Sequence, residues 1–174
     1  NRGNRRRLSF LYVPGGRRRA RFATALSRLY GTRFALYGKG WSGLTSSRGS
    51  LPYFAQEQAI QSARISANWD HFDHIDYYYS DRLPISLAAG IPHVTSYHRG
   101  YEQLFRDCPG LYPCRTVAEA VETCRWLLSR PDRELQEEGL AARQWALDNL
   151  ETDHLFRRAF ERALSHHKRR VGTI

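Results

Sequence analysis

Two short stretches of the chain combine backbone freedom with fixed positive charge. In the first, Gly15-Gly16 follows an apolar run at residues 8–13 and Pro14, and precedes Arg17-Arg18-Arg19 and Arg21. Glycines ahead of a helix let backbone N–H groups approach an anion, the helix dipole adds partial positive charge, and the arginines add full charges at the same edge. A diphosphate complements such a set, because guanidinium groups take phosphate oxygens in pairs. A tight turn with solvated arginines would give the same string. The turn is neither GxGxxG nor a Walker loop, which argues against dinucleotides and ATP as such. In the second stretch, Ser80-Asp81-Arg82 opens a segment that ends in Ala88-Ala89-Gly90-Ile91-Pro92. Ser80 or Asp81 suits a helix cap, and Arg82 would share an anion with the helix N-terminus.

Further residues fit a ligand of this kind. Lys39 and Trp41, in Gly38-Lys39-Gly40-Trp41, place a cation and a large flat side chain on a flexible turn. Trp41 suits core packing equally well. Tyr97, His98, Arg99 and Gly100 follow the apolar run that ends at Ser96. Asp70, His71, Asp73, His74 and Asp76 are crowded in sequence, but they lack helical spacing and no HExxH motif is present. A polar loop facing substrate accounts for them better than a metal site does.

These segments need elements to position them. The runs at 8–13, 33–37, 64–68 and 92–96 read as strands, with a further short strand near Leu111-Tyr112. Between them the spacing predicts helices over 17–30, 52–63, 83–90 and 101–105. Thr116 and Glu119 have the form of a capping box opening the next helix. Pro131-Asp132 starts another, Thr152 or Asp153 the last, and 166–170 reads as a frayed basic end. The expected fold is α/β: a Rossmann-like, doubly wound parallel sheet of four to five strands with a helical C-terminal tail. In such sheets ligands sit beyond the carboxyl ends of the strands, where Gly15–Arg21, Gly38–Trp41, Trp69–Arg82 and Tyr97–Glu102 should meet.

Length and charge narrow the choice further. The 174 residues suffice for one domain, and 41% hydrophobic residues are too many for a disordered chain. No apolar run reaches the ~18 residues of a membrane span. Residues 1–56 hold twelve of the 27 bases and no acid, so the net charge of +10 belongs to the N-terminal third. Three cysteines, Cys108, Cys114 and Cys124, suit buried thiols in a reducing, cytoplasmic setting better than a disulfide framework. The chain has no Met, from which we expect Asn1 to mark a cut in a longer protein.

Taken in order, FLYVPGGRRRARFATALSRLYG, FALYGKGW, RISANW and SDRLPISLAAGIPHVTSYHRGYEQLF with the helical tail resemble the C-terminal half of GT-B glycosyltransferases, nearest the group 1 and spore-maturation-protein-like branches. The resemblance implies a single domain over 1–174 that binds a nucleoside-diphosphate sugar as donor substrate. The acceptor would be held by an N-terminal domain of the same protein. It implies transfer without a metal or other cofactor, with Gly15, Gly16, Arg17, Arg18, Arg19 and Arg82 at the diphosphate, to which the reading of the residues adds Ser80. Lys39, Trp41, Tyr97, His98, Arg99 and Gly100 would contact nucleotide or sugar. The resemblance departs at Ile85, where the family often carries a Glu that holds the ribose; a different nucleotide pose or a non-catalytic descendant of the fold would follow. The basic N-terminal third also suits a nucleic-acid-binding module, or a transferase whose acceptor is DNA.

Overall fold

The computed structural model of the chain describes residues 14–72, 74–151 and 160–161. Its first helix, α1 (Pro14–Tyr30), begins three residues earlier than the spacing suggests. Proline fits the first helical position because its missing N–H has no intrahelical partner there. Gly15 and Gly16 are therefore not a turn between strand and helix but part of the first turn of α1, whose amides lack intrahelical acceptors. The strand expected at 8–13 lies outside the described residues.

After a 3-10 turn (Gly31–Arg33), the segment expected as a second strand makes only one bridge, Leu36 to Ser47. Its backbone bonds go to its own returning loop: Leu36 N–H to Ser46 O at 2.9 Å and Gly38 N–H to Gly49 O at 2.8 Å. The chain folds back on itself within ten residues, and that local pairing replaces pairing with the sheet. Helix α2 (Gln56–Gln61) follows a 3-10 turn, Tyr53–Ala55.

The sheet among the described residues has three parallel strands, in order β1 (Ser66–Ala67), β2 (His93–Ser96) and β3 (Leu111–Cys114). Ser66 is in register with His93, and His93 with Leu111. Of the four to five strands expected, three stand among the described residues; the run at 33–37 does not join them, and the run at 8–13 lies outside the described residues. Helix α3 (Arg82–Ala88) connects β1 to β2, α4 (Tyr101–Leu104) connects β2 to β3, and α5 (Val117–Ser129) and α6 (Asp132–Leu150) follow. The Thr116–Glu119 capping box is present at α5, with Thr116 Oγ1 accepting from Glu119 N–H at 3.1 Å. Of the last helix expected, Phe160 and Glu161 are described, and both are helical.

Two apolar clusters sandwich the sheet. One joins Phe22 and Leu26 of α1 to Trp69, Val94, Cys114 and the inner face of α5; the other joins Leu83, Leu87, Tyr101 and Phe105 to Ala142 and Ala146 of α6. Helices on both faces of a parallel sheet are consistent with a Rossmann-like fold. Cys114 and Cys124 lie in the first cluster as free thiols, and burial pushes Cys124 up to about 12. No described helix is long and apolar enough to cross a membrane.

Candidate functional site

Because the strands are parallel, β1 and β2 release Asn68 to Asp70 and Tyr97 to Gly100 at the same edge of the sheet. A polar network is built there. Asn68 Nδ2 donates to Asp70 Oδ1 at 2.6 Å and to Ser80 Oγ at 3.3 Å, while Arg82 Nε donates to Asn68 Oδ1 at 3.0 Å. Ser96 Oγ accepts from the Asp70 N–H at 3.0 Å. His98 Nε2 stands 3.2 Å from Asp70 Oδ2, and its Nδ1 stands 2.9 Å from the Ile75 carbonyl oxygen. Burial alone would raise the Asp70 pKa; hydrogen bonds from His98, Ser80 and Asn68 outweigh it and hold the carboxyl below its ordinary value. Asp70 is therefore an ionised group only 1% exposed.

Arg19, on α1, is near enough to feel the charges of Arg82 and Asp70. Burial lowers its pKa most, the like charge of Arg82 lowers it further, and Asp70 and Tyr78 oppose both. Two guanidinium charges thus share the neighbourhood of one carboxylate that is already bonded to His98. An incoming anion would relieve the repulsion between them. The Arg19 guanidinium also sits 5.8 Å from the Trp41 ring centroid, so the flat side chain lies beside this cation.

The other expected site residues fall into distinct places. Arg17 and Arg18 are exposed on α1, as is Lys39 on its turn. Ser80 is buried and joined to Asn68; neither it nor Asp81 caps α3 with a side chain. That helix has seven residues, so it contributes Arg82 rather than an appreciable dipole. His98 is 2% exposed with both ring nitrogens engaged, which places it beneath the surface that a ligand could touch. Tyr97 lies on β2's far side of the network, under the Arg115 guanidinium at 3.7 Å, with its hydroxyl on Glu102 at 2.7 Å. Arg99 is exposed and paired with Asp76. Gly100 has φ +99 and lies against the Tyr77 ring. Ile85 is half-buried on α3.

Among the described residues no group of three His, Cys, Asp or Glu side chains gathers in a way that could hold a metal, and Asp73 lies outside them. The sequence pattern does not single out Asn68 and Ser96, and it places Asp70 only in a crowded loop. The available signal is positional: Asn68 and Ser96 stand at the carboxyl ends of two strands, where buried polar side chains in a parallel sheet face a ligand edge. A groove lined by Tyr112, Trp126, Arg130, Glu134, Glu137 and Glu138 shares no residue with this cluster. Its Arg130 is already paired with Glu134 and Glu138, which leaves it poorly suited to an anion.

A match to the glycosyl transferase-like family runs over residues 17–173. The chain belongs to that family. The matched region contains Arg19, Asn68, Asp70, Arg82 and His98, and membership supports a role in glycosyl transfer. No curated protein matches the chain.

Proposed function

We propose that this chain binds the nucleoside-diphosphate sugar donor of a glycosyl transfer and stabilises the diphosphate as it leaves. The observation that carries the reading is the convergence of Arg19 and Arg82 beside one buried, already-bonded carboxylate at the carboxyl edge of the sheet. As the bond between the anomeric carbon and the diphosphate breaks, negative charge grows on the leaving oxygen. Cations fixed in advance stabilise that charge without reorganisation, an effect worth several kcal/mol in sites of this type. Arg19 and Arg82 supply two such cations as side chains, so the reading calls for no metal. In this reading Trp41, beside Arg19, contacts the nucleotide or sugar. The acceptor and any residue that activates it belong to a separate domain of the same protein.

A thermal-shift titration with uridine and guanosine diphosphates tests this reading. The account expects a rise in the unfolding midpoint that Arg82→Glu abolishes and that reversal of Arg17, Arg18 and Arg19 together also abolishes. An equal shift in the variants removes these residues from the site.

A further inference from the structure

The hydrogen bonds behind Arg82 form a continuous buried line: Arg82 Nε to Asn68 Oδ1 (3.0 Å), Asn68 Nδ2 to Asp70 Oδ1 (2.6 Å), Asp70 Oδ2 to His98 Nε2 (3.2 Å), and His98 Nδ1 to the Ile75 carbonyl (2.9 Å). Each member comes from a different segment: α3, the end of β1, the loop beyond it, and the loop beyond β2. Asn68, Asp70 and His98 are 6%, 1% and 2% exposed, so none of the three can itself meet a substrate of any size. A network of this kind is costly to bury unless every member is satisfied. Here each is: the Asn68 amide is held at both ends, Asp70 accepts from its neighbours, and both ring nitrogens of His98 have oxygen partners.

We infer that Asn68, Asp70 and His98 are positioning residues for the Arg82 guanidinium, fixing its plane from behind and leaving its remaining N–H donors for a diphosphate. The inference rests on the reading of Arg82 as an anion ligand. The Nε–H bond to Asn68 removes the rotation about the last side-chain bond that would otherwise let the fork turn away. The carboxylate of Asp70, locked to His98, fixes the orientation of the Asn68 amide: its Nδ2 faces Asp70, so its oxygen must face Arg82. The far end of the line grips the Ile75 carbonyl, which ties the loop after β1 to the same framework. The network thus converts a flexible surface arginine into a preorganised one, which lowers the ordering cost of binding.

The test measures binding of inorganic pyrophosphate by calorimetry to the chain and to Arg82→Ala, Asn68→Ala and the exchange Asn68→Asp/Asp70→Asn. A second arm records the Arg82 Nε–H resonance and its solvent exchange by 15N NMR, assigned from its loss in Arg82→Ala. The account expects Asn68→Ala to weaken pyrophosphate about tenfold, the scale of one hydrogen bond to a charged group. It expects the Nε–H of the parent chain to exchange slowly and that of Asn68→Ala to exchange fast. The exchange variant restores an acceptor to Arg82 and an N–H···O link between the two positions, so affinity and slow exchange should return. If Arg82→Ala weakens binding while Asn68→Ala does not, or if the Nε–H of the parent chain exchanges freely, the positioning role is refuted and the anion site stands. Should the parent chain and Arg82→Ala bind alike, the anion site and the positioning role fall together. The NMR arm on the parent chain decides the matter even where Asn68→Ala does not fold.

Discussion

Asp70 and His93 are ionisable groups sealed in one protein interior, and both pKa values are lowered there, which keeps the carboxyl charged and the imidazole neutral. The buried His93 ring is held by a 2.7 Å bond between Nδ1 and Ser66 Oγ, and its Nε2 lacks a hydrogen-bond partner. Burial pushes its pKa from 6.5 down to about 4; Asp70 opposes the shift and Arg82 adds to it. The folded protein therefore keeps His93 neutral while the unfolded chain protonates near 6.5, so acidification favours unfolding. Stability contributed by this residue is whole above pH 6.5, declines as pH falls toward 4, and is gone below, a loss of roughly 3 kcal/mol. Urea denaturation of the parent chain and of His93→Gln at pH 7 and pH 4.5 checks this: the variant should lose less stability over the interval. Gly100 makes a second residue-level prediction. A Cβ there would overlap the Tyr77 ring, lying 2.9 Å from its Cγ, at a φ of +99 that side chains resist. Gly100→Ala should lower stability by about 1–3 kcal/mol in the same assay.

Between elements, contacts rather than propensities decide. Gly139 lies in the middle of α6, where alanine would ordinarily stabilise a helix by about 1 kcal/mol. Here a Cβ would collide with the Gly90 carbonyl oxygen and lie 2.8 Å from the carbonyl carbon, because α3 and α6 pack closely at this point. Gly139→Ala should therefore destabilise the chain, by about 1–2 kcal/mol net once the clash outweighs the propensity gain; a more stable variant would contradict this packing. Local signals made several elements readable. The Thr116–Glu119 box and the Pro131-Asp132 start depend on neighbours within a few residues, and both helices begin there. The run at 33–37 failed as a sheet strand because its polar backbone is satisfied nearby, by the loop at 46–49, so its apolar pattern did not decide its partner. The reading of Gly15-Gly16 as a turn failed because Pro14 can begin a helix as well as end a strand.

At the scale of the described molecule, one of the cations concentrated in the N-terminal third, Arg19, acquires a location. Arg19 feels the charge of Arg82 across sixty-odd positions of sequence, while Arg17, Arg18 and Arg21 stay exposed along the same helix. Arginine-rich composition suggested an anionic ligand, and the parallel-sheet edge suggested where it would bind. The line from Asn68 through Asp70 to His98 was not legible, since its hydrogen bonds join residues up to 28 positions apart, with nothing in the local pattern to mark them. A parallel sheet brings such residues together only after its strands are in register. Domain-level steering follows from the same charge: cations flanking the crevice raise the local concentration of anionic ligands, and salt screens that attraction. The most direct measurement is a crystal structure of the chain with uridine or guanosine diphosphate bound. The account predicts diphosphate oxygens within hydrogen-bonding distance of both Arg19 and Arg82, above the buried Asn68–Asp70 pair. A diphosphate seated elsewhere, with those two guanidinium groups unengaged, would contradict it.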